Sequence, residues 1–371
     1  MKYRLKDIFD LQMGKTPSRN NQDYWNTNEN KWISIADLSK NEKYIRKTKE
    51  CLSEDAVRES GIKIIPANTV VMSFKLSIGK TAITAEDMYS NEAIMAFHDK
   101  HIVELLPEYI FYMFKYKNWD EGTNKAVMGK TLNKATLAEI EIEICSIEKQ
   151  RKIVEVLNKM MNILSGRKNE LQLLDNLIKA RFVEMFGDPI SNPLGWKKRV
   201  LREVCTKLND GTHFSPESFE TGEYKYITAK NIKMSGFDFS NITYVSEEVH
   251  RPIYERCNPE YGDVLYIKDG VTTGIAMVNT LEEEFTLLSS VALLKQDRRI
   301  MNGYFLTALL NNESMYTDIR NNMGGAAITR LTIAKLNAIK VILPPLDIQN
   351  QFADFVQATD KLKFIYPSYV A

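Results

Sequence analysis

The chain has 371 residues, of which 44% are hydrophobic and 26% are charged, a composition that supports buried cores and excludes a disordered chain. Its length exceeds what one ordinary core holds and predicts two domains with connections between them. Because 49 Lys and Arg stand against 48 Asp and Glu, the net charge is only +1, which excludes a global attraction to nucleic acid. Any such binding must depend on local patches or on a charged partner.

The cysteines and the N-terminal stretch both indicate a cytoplasmic protein. The four cysteines are far apart and form neither a CxxC pair nor a metal cluster with the four scattered histidines, which is typical of free thiols in a reducing compartment. Apolar runs stay below the roughly 18 residues of a membrane span, and Met1 leads directly into charged residues. We therefore expect no membrane association, no signal peptide and no bound metal.

Residues 1–145 are predicted to form a domain of mixed strand and helix content. Short β-type runs are separated by turn residues, for example at residues 32–35, 70–74 and 93–97. One amphipathic helix is predicted at residues 107–116, with Pro107 at its start. These elements define the first of two domains.

Residues 146–186 are predicted to form one long helix. Its apolar residues recur in alternating steps of four and three, the heptad pattern of a coiled coil, at Ile153, Leu157, Met160, Leu164, Leu171, Leu174, Ile178 and Met185. Some 40 residues at about 1.5 Å each make a rod of roughly 60 Å. The stretch Gly187-Asp188-Pro189 is a helix stop. The alternative is a long core helix packed inside one domain.

Residues 187–345 repeat the order of elements found in residues 1–145. Trp32-Ile33-Ser34-Ile35-Ala36-Asp37-Leu38 aligns with Tyr226-Ile227-Thr228-Ala229-Lys230-Asn231-Ile232, and Gln150 aligns with Gln349. A second, shorter helix is predicted in residues 346–371, from 347 to about 366, again with heptad-like spacing. The sequence therefore predicts a tandem α/β (α+β) duplication with pseudo-twofold symmetry, in which the two helices form an antiparallel coiled coil.

Several motifs give the chain a resemblance to a known family. They lie at the domain ends, after the central helix and near the N-terminus: Leu343-Pro344-Pro345-Leu346-Asp347-Ile348-Gln349, Cys145-Ser146-Ile147-Glu148-Lys149-Gln150, Phe182-Val183-Glu184-Met185-Phe186-Gly187-Asp188-Pro189, Asn192-Pro193-Leu194-Gly195-Trp196 and Gly14-Lys15-Thr16-Pro17. In these motifs the sequence resembles the specificity subunit of type I restriction-modification systems. Cys145-Ser146 stands where that family usually has Pro-Pro.

The resemblance implies a non-catalytic reader of double-stranded DNA. Two target-recognition domains would each read one half of a split sequence, while the conserved helices space the domains and dock two modification (methyltransferase) subunits. Those subunits would in turn recruit ATP-dependent restriction subunits. The chain itself would need no cofactor and would act in defence.

The loops between the β-type runs carry the polar and forked side chains that contact base edges and phosphates. We expect the DNA contacts of the first domain among Lys15, Thr16, Ser18, Arg19, Asn20, Lys75, Ser77, Lys80, Lys130, Asn133 and Lys134. Those of the second are expected among Thr212, His213, Ser215, Lys230, Asn231, Lys268, Thr272, Thr273, Arg330 and Thr332. Their clustering at equivalent places in both halves is the observation that favours them.

Two motifs that suggest catalysis fail on inspection. Three Gly-Lys-Thr stretches end like a phosphate-binding loop, but none has the upstream glycine that such a loop requires. Asn258-Pro259-Glu260-Tyr261 is similar to the Asn-Pro-Pro-Tyr of amino methyltransferases, yet Glu260 replaces the second proline and no Gly-rich turn precedes it. Two alternatives to the DNA reader stay open, namely a stand-alone DNA methyltransferase and a coiled-coil adaptor that binds modification subunits without reading DNA.

Overall fold

The structure, a computed structural model, describes residues 1–25, 27–40, 42–75, 77–119, 132–321, 323 and 330–364. The chain divides into two compact units, Met1–Gly166 and Arg167–Ala371. The boundary falls inside the long helix, so each unit contains one half of it. The predicted fold class, two tandem domains of mixed strand and helix content with long helices, is confirmed.

The first unit contains ten described strands and five helices before the long helix. The strands are β1 (Lys2–Arg4), β2 (Phe9–Met13), β3 (Asn30–Ile33), β4 (Tyr44–Ile45), β5 (Glu50–Leu52), β6 (Val70–Ser73), β7 (Thr81–Thr84), β8 (Tyr89–Ser90), β9 (Ile94–Asp99) and β10 (Glu141–Glu143). The helices are α1 (Leu5–Ile8), α2 (Ile35–Leu38), α3 (Glu54–Ser60), α4 (Pro107–Tyr116) and α5 (Lys134–Ala138). The helix predicted at residues 107–116 is confirmed at its bounds.

The second unit contains eleven described strands and six helices after the long helix α6 (Ile147–Phe186). The strands are β11 (Lys198–Val200), β12 (Cys205–Asp210), β13 (Tyr224–Ile227), β14 (Ile232–Lys233), β15 (Gly236–Phe237), β16 (Thr243–Val245), β17 (Val264–Ile267), β18 (Ala276–Val278), β19 (Phe285–Leu287), β20 (Val291–Gln296) and β21 (Lys340–Ile342). The helices are α7 (Leu201–Val204), α8 (Glu247–Arg256), α9 (Gly303–Leu310), α10 (Glu313–Asn321), α11 (Ile333–Asn337) and α12 (Leu346–Phe364).

The sheets of the two units have the same topology. The order β2-β9-β6-β7 in the first unit matches β12-β20-β17-β18 in the second, and both runs are antiparallel. The three-stranded sheet β5-β3-β8 matches β16-β13-β19, each with one antiparallel and one parallel pair. The terminal pair β1-β10 matches β11-β21. The first unit adds β4 at an edge, and the second adds the hairpin β14-β15.

Two equivalent glutamines connect α6 and α12 to their domains by hydrogen bonds. Gln150 lies in the first turn of α6 and is fully buried; its side chain accepts from Leu106 N and donates to the carbonyls of Glu104 and Cys145, at 2.9–3.0 Å. Gln349, in the first turn of α12, makes the same set of bonds with Asn302 N and the carbonyls of Ile300 and Pro344. The alignment of these two glutamines therefore reflects one shared structural role.

The first half of α6 packs on its own domain. Val154 is buried in the core of the first unit, and Ile153, Leu157 and Met161 pack against that core. Within the same core, Phe97 and Phe114 contact edge to face at 4.7 Å between ring centroids. Met160 and Leu164, predicted on the heptad stripe, are instead 52% and 39% exposed.

The second half of α6 pairs with α12 in antiparallel orientation. Phe182, near the end of α6, lies 5.6 Å from Phe352, near the start of α12, whereas Asp175 lies 2.7 Å from Lys363, near its end. Arg167 donates to the carbonyl of Lys363 at 2.8 Å, satisfying a helix terminus that lacks an internal partner. The predicted antiparallel helix pair is thus present inside the second unit. Leu362, near the end of α12, is half exposed.

Candidate nucleic-acid interface

In the second unit, five separate segments meet at one end of the sheet β12-β20-β17-β18. The loop after β12 pairs with the turn between β19 and β20, through Thr212 N to Leu287 O and Ser289 N to Thr212 O, both at 2.8 Å. The same turn accepts from Lys268 N at its Ser290 carbonyl, and Leu331 N donates to the Lys268 carbonyl at 2.8 Å. Backbone bonds therefore hold together the loops that carry the predicted contact residues of this unit.

The fifth segment is the short 3-10 turn that follows β13. Ala229 N donates to the Ser290 hydroxyl at 3.3 Å, which brings Lys230 to the same edge. Asn231 is buried, accepts from the Thr228 backbone and hydroxyl, and donates to the Asp238 carbonyl. In the first unit Asp37 is buried and accepts from Ser34 in the same way. Asp37 and Asn231 therefore each stabilise a turn by hydrogen bonds from a buried side chain.

The first unit brings equivalent segments together. Lys15 N donates to the Ser90 carbonyl at 2.8 Å, and Phe74 N donates to the Ala93 carbonyl at 3.0 Å. Leu132 N donates to the Phe74 carbonyl at 3.2 Å. The loop after β2, the β6–β7 hairpin and the segment before α5 therefore lie side by side, as in the second unit.

A glycine starts the loop after β2 and another starts the loop after β12, because the chain passes very close to the neighbouring strand at both places. A Cβ atom on Gly14 would lie 2.2 Å from the Asn91 carbonyl oxygen, and one on Gly211 would lie 1.9 Å from the Leu287 carbonyl oxygen. Any larger residue would collide with backbone at these two places. The glycine of Gly14-Lys15-Thr16 is thus required by strand packing, which agrees with the rejection of a phosphate-binding loop.

The predicted contact residues of the first unit are mostly exposed and partly engaged. Exposed positions are Lys15, Ser18, Arg19, Asn20, Asn133 and Lys134, while Thr16, Lys75, Ser77 and Lys80 are half-buried. Thr16 donates to Glu92, the Lys80 ammonium donates to Ser39 Oγ at 2.7 Å, and the Lys75 ammonium lies 5.3 Å from the Phe74 ring centroid. Asn133 caps α5. Lys130 lies outside the described residues.

Arg19 is held against an aromatic cluster. Its guanidinium lies 3.6 Å from the Trp25 ring centroid and forms a two-pronged ion pair with Glu50. Trp25 in turn packs edge to face on Trp32, at 4.9 Å between ring centroids. Arg19 therefore stabilises the conformation of the loop after β2. To contact DNA, its guanidinium would have to leave Glu50.

The second unit separates its predicted residues into two groups. Thr212, Asn231, Lys268 and Thr273 are buried, with at most 3% of their surface exposed. His213, Ser215, Lys230, Thr272, Arg330 and Thr332 are exposed. The buried group shapes the loops: the Thr273 hydroxyl, for example, donates to the Gly270 carbonyl at 2.6 Å. The exposed group is available to a ligand.

Lys268 lies at the centre of a charge network. Its ammonium lies 2.7 Å from Asp269 Oδ2 and 3.3 Å from Asp210 Oδ2. Asp210 Oδ1 lies 3.2 Å from His213 Nε2, and Asp269 Oδ1 lies 3.4 Å from Arg330 Nε. This lysine is turned inward, so its effect on a ligand would pass through the residues around it.

Three surface residues that the loop pattern did not single out lie at the same edge. Val271 is 94% exposed between Gly270 and Gly274, which both have positive φ, and an apolar tip of this kind suits contact with a thymine methyl group. Phe214 is 60% exposed and, with His213 and Arg256, lines a 450 Å³ pocket against α8. The glycines that flank Val271 could have indicated an exposed loop from the sequence. Arg256 lies on α8, and nothing in the sequence spacing indicates that this helix borders the loops.

The stretch Asn258-Pro259-Glu260-Tyr261, which is similar to a methyltransferase motif, makes structural contacts. Lys207 donates to Asn258 Oδ1 at 2.8 Å, and Lys295 lies 2.7 Å from Glu260.

Burial raises the pKa of Cys205 and of Cys257 to about 12, which keeps both thiols protonated at neutral pH. In the described ranges, no three His, Cys, Asp or Glu side chains are grouped as cation ligands. No described helix is long and apolar enough to span a membrane.

Known proteins share this sequence pattern and this fold. A family model described as Type I restriction modification DNA specificity domain matches residues 1–173 and again residues 193–365. The MjaIX specificity subunit of Methanocaldococcus jannaschii is 25% identical, over 95% of this chain and 85% of its own length. The EcoR124I/EcoR124II specificity subunit of Escherichia coli is 25% identical over 43% of this chain and 41% of its own length.

Two solved structures have the same fold. The S subunit of the type I restriction-modification system from M. genitalium has a TM-score of 0.57 and 16% identity, covering 98% of this chain and 90% of that one. A chain from a study of assembly and conformational transition in a type I system has a TM-score of 0.52 and 17% identity, covering 98% and 93%. With two matched copies that together span most of its length, the chain belongs to the type I restriction modification DNA specificity domain family.

Proposed function

We propose that this chain is the DNA sequence-recognition subunit of a type I restriction-modification complex and that each unit reads one half of a bipartite site. The observation that carries the proposal is the repetition of one arrangement: in both units, loops from equivalent strands meet at the same end of the same sheet. Exposed Lys, Arg, Asn, Ser, Thr and His side chains on those loops are of the types that contact phosphates and base edges.

The long helix α6 supports a fixed spacing between the two half-sites. It runs without interruption from Ile147 to Phe186, and its two halves belong to different units. A continuous helix of 40 residues spans roughly 60 Å at about 1.5 Å per residue. Because B-DNA repeats every 34–36 Å or so, such a spacer suits reading heads that meet the duplex about one turn apart.

We further propose that the chain acts without catalysis of its own, in the cytoplasm, where genomic DNA is accessible. Two modification subunits would bind S-adenosylmethionine and methylate the DNA, and restriction subunits would join through them and use ATP. Exposed apolar side chains on α6 favour docked protein partners: Val156, Met160 and Ile163 in the first unit, and Leu173 and Leu177 in the second. In each unit they recur at helical spacing, which makes an apolar stripe.

The decisive experiment exchanges residues 1–145 for the equivalent region of a relative with a different recognition sequence. The full chain is expressed with its modification subunit, and methylated bases are mapped across the genome. We expect one half of the modified sequence to change and the other half to stay. A change in both halves, or in neither, would contradict independent reading by the two units.

Two alternatives predict other outcomes. A stand-alone DNA methyltransferase would bind S-adenosylmethionine as a purified chain, which calorimetry measures directly. A coiled-coil adaptor would assemble with modification subunits yet show no sequence preference in a binding selection. Gel shifts of the chain with and without the modification subunit complete the test, because the near-neutral charge of the chain predicts tight binding only in the complex.

A further inference from the structure

The two units differ at one pair of positions that their shared topology makes equivalent and that is buried in the second unit. Met13 is the last residue of β2 and lies opposite Met95, while Asp210 is the last residue of β12 and lies opposite Ala292. Phe74 directly follows β6, and Lys268 directly follows β17. A methionine and a phenylalanine in the first unit thus correspond to an aspartate and a lysine in the second.

The backbone confirms that Phe74 and Lys268 occupy the same place. Each accepts at its carbonyl from a leucine amide that precedes a short helix, Leu132 at 3.2 Å and Leu331 at 2.8 Å. Each is also fully enclosed, with 0% and 1% of its surface exposed. The fold therefore accommodates an apolar side chain at this position as well as an ammonium group.

Stability alone does not explain the ion pair. Removing an ammonium group and a carboxylate from water costs several kcal/mol each, and well-packed apolar replacements of such pairs are often neutral or stabilising. In the first unit an enclosed phenylalanine stands in place of the lysine and a methionine that is 46% exposed stands in place of the aspartate, so this place in the fold does not require an ion pair. The polar pair in the second unit must then be accounted for by what it contacts.

The pair contacts donors that lie on the surface of the candidate interface. Asp210 Oδ1 lies 3.2 Å from His213 Nε2 and 3.6 Å from Arg256, and Asp269, the other partner of Lys268, lies 3.4 Å from Arg330 Nε. The side chains of His213, Arg256 and Arg330 are 58%, 43% and 60% exposed. The buried ammonium of Lys268 thus fixes the positions of two carboxylates. These carboxylates in turn fix the orientation of three exposed side chains that come from three different segments.

We propose that Lys268 and Asp210 are positioning residues for sequence reading by the second unit. They hold His213, Arg256 and Arg330 in one arrangement toward the DNA, so that their hydrogen-bonding groups are ordered before binding. Arginine pairs with guanine through a rigid fork, and histidine and arginine also bind phosphates, so orientation decides which contact forms. The inference rests on the proposed function and assigns the pair to one half-site only.

The main test transplants the pair from the first unit. The double variant Asp210→Met, Lys268→Phe is expressed as the full chain with its modification subunit, and methylated bases are mapped genome-wide. Because the first unit encloses Phe74 at this place and leaves Met13 46% exposed, we expect the double variant to fold, which its melting temperature checks. Discrimination at the half-site of the second unit should fall tenfold or more, while the other half-site is read as before.

A second variant tests the same network without touching the core. Asp269→Asn keeps the shape of a side chain that is 22% exposed but removes its charge from between Lys268 and Arg330. We expect the same half-site to lose discrimination. Unchanged reading of that half-site by Asp269→Asn overturns the inference, whether or not the double variant folds.

The matched control is a second ion pair at the opposite end of the same strand. Asp263 directly precedes β17, is fully buried and lies 3.4 Å from Lys295. Asp263→Asn, Lys295→Met should lower the melting temperature and leave both half-sites unchanged. Equal loss of discrimination in this control would mean that general destabilisation is responsible, and the positioning role would be wrong.

The unsubstituted complex distinguishes failure of the proposed function from failure of the positioning role. If it modifies no bipartite sequence, the proposed function fails and this inference fails with it. If it modifies one, and the double variant folds and reads both halves unchanged, only the positioning role of Lys268 and Asp210 is overturned.

Discussion

Gln150 and Gln349 show how a single side chain can connect a helix to a domain. Each satisfies one amide and two carbonyl groups that are buried or partly buried and would otherwise lack this partner. The cost of leaving such groups unsatisfied, about 1–3 kcal/mol each, exceeds the net gain from an ordinary hydrogen bond. The recurrence of the glutamine in both units follows from this cost.

We predict that Gln349→Ala lowers the free energy of unfolding by roughly 2–4 kcal/mol, because one buried and two partly buried backbone groups lose their partner. Gln351, two residues further along α12, is exposed, and Gln351→Ala should stay within about 0.5 kcal/mol of the unsubstituted protein. Chemical denaturation measures both. Equal effects of the two substitutions would show that the bridge contributes nothing.

His250 makes stability depend on pH. It is fully buried, stacks on Tyr224 at 3.8 Å and hydrogen-bonds Thr286. Burial lowers its pKa below the ordinary value, and this effect outweighs the opposing hydrogen bond to Glu284. The unfolded chain therefore takes up a proton more readily, so this contribution is complete above about pH 6.5 and is lost as the pH falls toward the folded-state pKa.

We predict that the loss of stability between pH 7.5 and pH 5.5 is smaller in His250→Gln than in the unsubstituted protein. Denaturation at both pH values measures the difference. His101 is exposed and has a positive φ that asparagine tolerates, so His101→Asn is the control. If His250→Gln retains the full pH dependence, the burial argument for His250 is wrong.

Among the helices, α12 depends on an aromatic cluster for its position. The ring centroid of Phe352 lies 5.6 Å from that of Phe182 and 5.5 Å from that of Phe186, both on α6. Because most of the stability of a helix inside a protein comes from tertiary packing, packing supplies much of the stability of the 19-residue α12. The helix pair in the second unit therefore depends on its aromatic end more than on its surface ion pairs.

We predict that Phe352→Ala costs about 3–5 kcal/mol, the usual range for a fully buried phenylalanine. Limited proteolysis should then cut within α12 before the rest of the unit. Leu362 lies on the same helix but is half exposed, and Leu362→Ala should change stability by less than about 0.5 kcal/mol. Resistance of α12 to protease in Phe352→Ala would contradict the assignment.

Across both units, α6 is the feature that would set the spacing of a bipartite DNA site. Gly166 is the last residue of the first compact unit, and a Cβ built on it contacts nothing within 4 Å. The helix is therefore open to lengthening at this point without disturbance of either core. Seven residues restore the heptad phase and add about 10 Å.

We predict that a seven-residue helical insertion after Gly166 lengthens the unspecified spacer of the recognised sequence by about three base pairs, at about 3.4 Å each, and leaves both half-sites unchanged. Genome-wide mapping of methylated bases in the assembled complex measures this. Gly166→Ala, which keeps the length of α6 and places a Cβ in open space, is the control, and its spacer should stay constant. An unchanged spacer after the insertion would exclude a ruler role for α6.

Much of the architecture could be predicted because it depends on local spacing. Alternating steps of three and four residues from Ile153 to Met185 placed α6, Pro107 placed the start of α4, and the aligned Gln150 and Gln349 placed the repeat. The individual DNA contacts remain predictions. Loop composition shows which side chains are polar, but it does not show which of them face solvent.

The sequence by itself determined the long helix, the duplication and the class of side chains on the loops, because periodicity and order are properties of the linear chain. Only the tertiary structure decided that Lys268 and Asn231 point inward while His213 and Arg330 stay exposed. The physical reason is that a buried polar group needs partners, and those of Lys268 include Asp210, which lies on a strand far away along the chain.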